Sequence, residues 1–217
     1  MSVECKALIL DFGGVISRTL FETHPLTEQA LGLTAGSLTW RGPFAPETDR
    51  EWRAMQAGEI SERDYWHLRT QEVAKLAGKN WSQMSDFVQA ARGADPENII
   101  RPEFYETITA AKAAGKRLAI LSNELDLFYG EKFRDLLPFL VDFEVIHDAT
   151  YTKNLKPDSR AYSDILLELG LKPIECVFVD DQLRNIDGAK TAGMKTVHFD
   201  VQNPVDSYAI ARQFLGI

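Results

Sequence analysis

The sequence predicts an α/β protein, a doubly wound parallel sheet carrying an inserted α-helical subdomain. Short apolar runs recur and each gives way to polar residues or glycine: 7–10 before Asp11-Phe12-Gly13-Gly14, 118–121 before Ser122-Asn123, 143–146 on the way to Lys156-Pro157-Asp158, and 176–179 before Asp180-Asp181. Uninterrupted apolar runs of that length suit strands buried on both faces, the situation in a parallel sheet covered by helices. Helical segments separate the later runs, and β-α-β order implies parallel crossovers. From 16 to 115 no convincing strand signal returns, yet helix starts and stops fill most of the interval, so it reads as a helical insertion after the first strand.

Each element has a local reason. Residues 47–57 read as a helix closed by Gly58. Ser61-Glu62-Arg63-Asp64 has the form of a capping box opening a helix that runs to Ala77 and stops at Gly78, and Ser82 opens another toward Arg92. Gly93-Ala94-Asp95-Pro96 reads as the return linker. Glu103 to Ala114, with Gly115 behind it, restarts the alternation, and Asp158 and Gly170 bracket a helix from Ser159 to Leu169. The expected division is therefore residues 1–15 and 96–217 for the α/β core and 16–95 for the helical subdomain. The crossings near Val15-Ile16-Ser17 and Gly93-Ala94-Asp95 are the expected hinges.

Composition bounds the function. With 217 residues, 45% hydrophobic and 26% charged, the chain has the balance of one well-buried domain plus an insertion. A formal charge of -8 argues against a nucleic-acid or anionic-membrane surface, both of which need a basic footprint. No apolar stretch has membrane-spanning length, and Met1-Ser2-Val3-Glu4-Cys5 lacks the features of a signal peptide, so a cytoplasmic protein is expected. Cys5 and Cys176 stand far apart in no metal-binding spacing, which suits reduced thiols beside buried strands. A small molecule is the expected partner, with no nucleic acid and no membrane, for a monomer or a homodimer.

The chemistry lies where the strands end, because open α/β sheets build their sites at the carboxyl ends of strands. Asp11, Ser122, Lys156 and the pair Asp180-Asp181 supply a nucleophilic acid, a hydroxyl, a cation and two acids, a set that points to phosphate chemistry on a metal. Singly, each has a plainer role: a turn or cap acid, a helix start, a helix opening at Lys156-Pro157-Asp158. The adjacent acids resist that explanation, since buried like charges are costly unless a cation neutralises them.

In this order the four motifs resemble those of the haloacid dehalogenase superfamily, over Lys6 to Phe199. The resemblance implies that Asp11 is the nucleophile and forms a covalent aspartyl intermediate. It implies that Ser122, Asn123 and Lys156 hold the phosphoryl oxygens, and that Asp11, the Gly13 carbonyl and Asp181 ligate Mg²⁺. Asp180 would then support the metal or its waters, and Asn185 would steady that loop at the substrate. It further implies that the helical insertion is a mobile cap that selects the substrate, with Gly58-Glu59-Ile60-Ser61 as the turn dipping toward the core. Trp40, Trp52, Trp66 and Trp81 all lie in the insertion, most of them as its core. Among Arg18, His24, Arg41, Arg50 and Arg53, Arg18 is the strongest candidate to bind substrate, because it follows Asp11 by seven residues.

The expected activity is magnesium-dependent hydrolysis of a phosphoric monoester, a small phosphorylated metabolite with a sugar phosphate as first guess. One residue departs from the family's phosphatase pattern. Gly13 stands where phosphatase members carry a second Asp that protonates the leaving group. Two alternatives follow: a 2-haloacid dehalogenase-type hydrolase, to which Ser122-Asn123 and Tyr162 conform in spacing, and a catalytically weak phosphometabolite-binding or interaction module. Dehalogenase members replace the late acids with small polar residues, whereas Asp180 and Asp181 are kept here. A Schiff-base route through Lys75 or Lys79 is disfavoured, since both read as solvated helix-end residues.

Overall fold

The computed structural model describes residues 3–92 and 96–217. Two compact units make it up. One contains the residues up to 18 together with 100–126 and 134–217; the other contains 19–99 and 127–133. The linker and hinge expected at Gly93-Ala94-Asp95 lie outside the described residues, as do Met1 and Ser2.

In the α/β unit, β1 (Ala7–Leu10) is followed, after the helical segment, by α-helix Pro102–Ala113, β2 (Arg117–Ser122), β3 (Val145–Asp148), α-helix Ser159–Leu169, β4 (Cys176–Asp180), α-helix Leu183–Thr191, β5 (Lys195–His198) and α-helix Pro204–Leu215. The strands pair in the order β3-β2-β1-β4-β5, and every pairing is parallel. β1 is central, and all four of its residues are buried, which explains its unbroken apolar run. Alternate side chains serve opposite faces. Ala7, Ile9, Ala119, Leu121 and Phe178 pack with Tyr162, Ile165 and Ile186 from helices 159–169 and 183–191, while helices 102–113 and 204–215 pack against each other and the sheet. β3 begins two residues later than the run at 143–146, and β5, only partly buried, has no apolar run to announce it.

The helical unit contains α-helices His24–Leu31, Arg50–Gln56, Glu62–Leu76 and Met84–Arg92. The first was not evident in the sequence, since half of it is polar; Pro25 in its first turn and Gly32, left-handed at φ 65°, are the local signals that bracket it. The second starts at Arg50 rather than 47, because Asp49 caps it through the Trp52 N–H and Pro46–Thr48 forms a 3₁₀ turn. Ser61 and Asp64 make the reciprocal capping box that the sequence implies. The fourth opens at Met84, two residues beyond Ser82.

A buried ion pair organises this unit. The Asp49 carboxylate accepts hydrogen bonds from Arg69 Nη2 at 2.6 Å, Tyr65 Oη at 2.9 Å, Trp52 N at 3.0 Å and Gly42 N at 3.2 Å. Around it the Phe21 ring contacts Trp52, Trp40 and Trp66 at centroid distances of 5.2, 5.3 and 5.4 Å. Trp40 and Trp52 are buried; Trp66 and Trp81 are half-buried. Arg41, Arg50, Arg53, Lys75 and Lys79 are exposed, as expected of solvated side chains.

Asp49→Ala strips the acceptor from four donors and leaves part of a buried guanidinium uncompensated, so chemical denaturation should show a loss of about 3–5 kcal/mol. His24 gives a second expected outcome. Burial first, and then the Arg41 cation, push its imidazole down to about 4 from the usual 6.5. A group depressed in this way contributes its stability above pH 6.5 and loses it as pH falls toward 4, because there the unfolded chain binds the proton that the folded one refuses. Unfolding followed across that window should show a loss of up to about 3 kcal/mol, and His24→Gln should flatten the profile.

Candidate active site

Parallel pairing in register brings the carboxyl ends of β1, β2 and β4 side by side. Leu10 is level with Ile120 and Val179, so Asp11 emerges next to the end of β4, tied there by its N–H donating to the Val179 carbonyl at 2.9 Å. Lys156, from the segment ahead of helix 159–169, reaches into this convergence. Its Nζ donates to Asp11 Oδ1 at 2.8 Å, Asp180 Oδ2 at 2.7 Å and the Leu121 carbonyl at 2.8 Å. The ammonium side chain is 1% exposed. Burial by itself opposes its charge, but Asp11 and Asp180 outweigh that and hold its pKa above the ordinary lysine value. The cation is therefore permanent.

Asp180 is fully buried and saturated. Besides Lys156 it accepts from Gln182 N at 2.8 Å and from Asn185 Nδ2 at 3.1 and 3.0 Å on its two oxygens. Asn185 is anchored in turn, its carbonyl accepting from Tyr162 Oη at 2.7 Å. Tyr162, which on spacing alone suits a dehalogenase, is buried and engaged with main chain. Asn123 shows a similar displacement of role: Lys156 N donates to its Oδ1 at 2.7 Å and its Nδ2 donates to the Lys156 carbonyl at 3.1 Å. Asn123 and Asn185, which the sequence assigns to the substrate, hold groups that position Lys156. Ser122 ends β2, 7% exposed. Arg18 is half-buried at the last position of the unit's first segment.

One oxygen each from Asp11, Asp180 and Asp181 lies within 4.8 Å of the others. Three carboxylates against one ammonium leave a surplus of negative charge, which a hard divalent cation with oxygen ligands would neutralise. Asp180 is buried, whereas Asp11 and Asp181 are only partly so, which makes those two the more accessible ligands. The loop after β1 is shaped for them. Gly14 has φ 81°, and a Cβ there would sit 2.7 Å from Asp181 Oδ2, so glycine is needed both for its backbone and for the approach of the acid. Gly13 differs: its backbone is outside the left-handed region and a Cβ would meet nothing within 4 Å. It is exposed.

Several supports for this loop escaped sequence reasoning. Arg101 Nε donates to the Gly14 carbonyl at 3.0 Å, and Tyr208 Oη to the Val15 carbonyl at 3.0 Å. Across the sheet, Asp148 is level with Ser122 and accepts from Leu125 N at 3.2 Å, Asp126 N at 2.9 Å and Arg134 Nη2 at 2.9 Å, fixing the turn that follows Ser122-Asn123. Lone Arg, Tyr and Asp residues carry no periodic or motif signal.

The model of the haloacid dehalogenase-like hydrolases matches residues 5–193, and the protein belongs to that family of hydrolases. A relative is the putative phosphatase YhcW of Bacillus subtilis, 26% identical over 204 residues, 88% of this chain and 82% of its own. Among solved structures, a HAD phosphatase from Thermococcus onnurineus superposes with TM-score 0.61 at 19% identity, covering 97% of this chain and 98% of that one. The L-2-haloacid dehalogenase RSc1362 superposes with TM-score 0.66 at 15% identity, covering 99% and 100%. At such identities the two structures share the fold.

Gly14→Ala should destabilise the protein by about 1–3 kcal/mol, through a left-handed alanine and the collision with Asp181, whereas Gly13→Ala should stay within about 0.5 kcal/mol. Thermal denaturation of the two variants side by side measures the contrast.

Proposed function

We propose that the protein is a magnesium-dependent phosphoric monoester hydrolase acting on a small phosphorylated metabolite through an aspartyl-phosphate intermediate. The observation that carries this reading is the buried Lys156 ammonium held between Asp11 and Asp180 beside the third acid, Asp181. Halide displacement by a carboxylate needs no cation beyond the lysine, so three converging acids suit phosphoryl transfer better. Asp11, Asp181 and the Gly13 carbonyl would hold Mg²⁺, with Asp180 behind them as the anchor of Lys156. Bound there, the ion supplies Lewis-acid charge neutralisation to the phosphoryl oxygens.

The remaining steps belong to the chain. Lys156 and Ser122 hold the phosphoryl group so that an Asp11 oxygen stands in line with phosphorus. Asp11 forms the new P–O bond as the ester P–O bond breaks, and the leaving oxygen takes a proton from solvent water. Water then attacks the phosphorus of the aspartyl phosphate, releasing inorganic phosphate and restoring the Asp11 carboxylate. Gly13 supplies no proton to the leaving oxygen, which favours substrates whose leaving group is already acidic, such as acyl or anomeric phosphates.

Three measurements test the reading. Calorimetry should show Mg²⁺ binding that Asp181→Asn weakens by at least about tenfold, and release of phosphate should fall at least about 10³-fold in Asp11→Asn. Gly13→Asp, for which the backbone has room, should raise turnover of alkyl phosphates by about 10²-fold or more and that of aryl or acyl phosphates less. Asp11-dependent release of chloride from 2-chloropropionate with no phosphate release from any ester would replace the reading with a dehalogenase.

A further inference from the structure

The loop after β1 has most of its main-chain carbonyls tied down. The Phe12 carbonyl accepts from Ser17 N at 2.9 Å and the Ile16 carbonyl from Arg101 N at 3.0 Å. The Gly14 carbonyl accepts from Arg101 Nε and the Val15 carbonyl from Tyr208 Oη, both at 3.0 Å. None of these bonds uses the Gly13 carbonyl, and Gly13 is exposed.

The side-chain donors come from far along the chain. Arg101 precedes helix Pro102–Ala113 and Tyr208 lies in helix Pro204–Leu215; they are 3% and 0% exposed. The Arg101 guanidinium stands over the Phe199 ring at 5.5 Å, and that ring meets Tyr208 edge-on at 5.1 Å, so packing holds both donors in place. Burial pushes the Tyr208 phenol above the ordinary tyrosine pKa, which keeps it protonated and a donor.

The Gly13–Gly14 peptide needs such partners more than its neighbours do. Two glycines in succession leave the peptide between them the widest choice of orientations, and Gly14 already sits at φ 81°. No side chain on either residue limits the rotation. Ties on the carbonyl before and on the three that follow remove that freedom and fix where the Gly13 carbonyl points. Surface loops ordinarily satisfy their carbonyls with water as well as protein, so two buried side chains committed to consecutive carbonyls just after Asp11 serve the orientation of this loop in particular.

We propose that Arg101 and Tyr208 are positioning residues for a divalent cation: by tying the Gly14, Val15 and Ile16 carbonyls they hold the Gly13 carbonyl in one orientation, available as an oxygen ligand alongside Asp11 and Asp181. This rests on the phosphatase reading, which makes that carbonyl a Mg²⁺ ligand, and adds to it the residues that set the affinity.

The test reads that one peptide. Gly13-Gly14 is the single Gly-Gly pair in the sequence, so the full chain labelled with glycine carrying ¹³C at its carbonyl and ¹⁵N gives one directly bonded carbonyl–nitrogen correlation, from this peptide alone. In the natural chain a single correlation that moves saturably with Mg²⁺ is expected. Tyr208→Phe removes only the hydroxyl, and Arg101→Lys keeps the charge but loses Nε. Each should displace or split the correlation before metal is added and weaken Mg²⁺ binding by about tenfold or more, the usual effect of losing a partner behind a metal ligand. Thr107→Val is the structural control: it breaks the 2.8 Å bond from Arg212 between the same two helices, and should lower the thermal midpoint while leaving the correlation and the Mg²⁺ affinity unchanged. Should Arg101→Lys fail to fold, Tyr208→Phe carries the test. Mg²⁺ that leaves the natural chain's correlation unmoved overturns the proposal. So does a folded Tyr208→Phe or Arg101→Lys that binds Mg²⁺ as tightly as the natural chain, or a Thr107→Val that weakens binding equally. The expected pattern in a protein that hydrolyses no phosphate ester would sustain the positioning role and reject the phosphatase reading.

Discussion

A lysine ammonium buried to 1% exposure is the constraint around which the α/β unit is arranged. Taken from water alone, such a charge would cost several kcal/mol. Asp11, Asp180 and the Leu121 carbonyl offset that cost together; Asp11 directly follows β1, and the other two lie in β4 and β2. The charge therefore demands that three strand ends arrive at one point. Parallel pairing in register around a central β1 meets the demand, because it brings carboxyl ends of neighbouring strands out on the same side of the sheet.

The supporting bonds follow from the same constraint. Asn123 holds the main chain of Lys156 through both its N–H and its carbonyl, and Asn185, steadied by Tyr162, holds Asp180. A charged group in low dielectric gains most from partners that cannot drift. Polar side chains that look available for substrate are thereby drawn into positioning work. Asp11, Asp180 and Asp181 together leave a surplus of negative charge at the strand ends.

The helical unit solves a comparable problem with different parts. Asp49 and Arg69 form its buried pair, and Tyr65, the Trp52 N–H and the Gly42 N–H satisfy the carboxylate's other lone pairs, so the charge is neutralised within the unit.

Much of this protein was legible in its sequence. The apolar run at 7–10 is central in the sheet because an unalternating run must be covered on both faces, and Ser61 with Asp64 caps a helix because that spacing returns each side chain to the other's backbone. The convergence of Asp11 and Asp180-Asp181 was readable, since they stand at the ends of neighbouring strands. β5 and the helix at His24–Leu31 were not, as partial burial and polar faces leave them no strong periodicity. Only the tertiary structure decided that Asn123 and Asn185 serve Lys156, that Arg101, Tyr208 and Asp148 brace the loops, and that Gly14 rather than Gly13 has no room for a side chain. Sequence records local periodicity and turn chemistry over a few residues. Which polar atom meets which depends on strand register and packing across separations such as the 145 residues between Asp11 and Lys156.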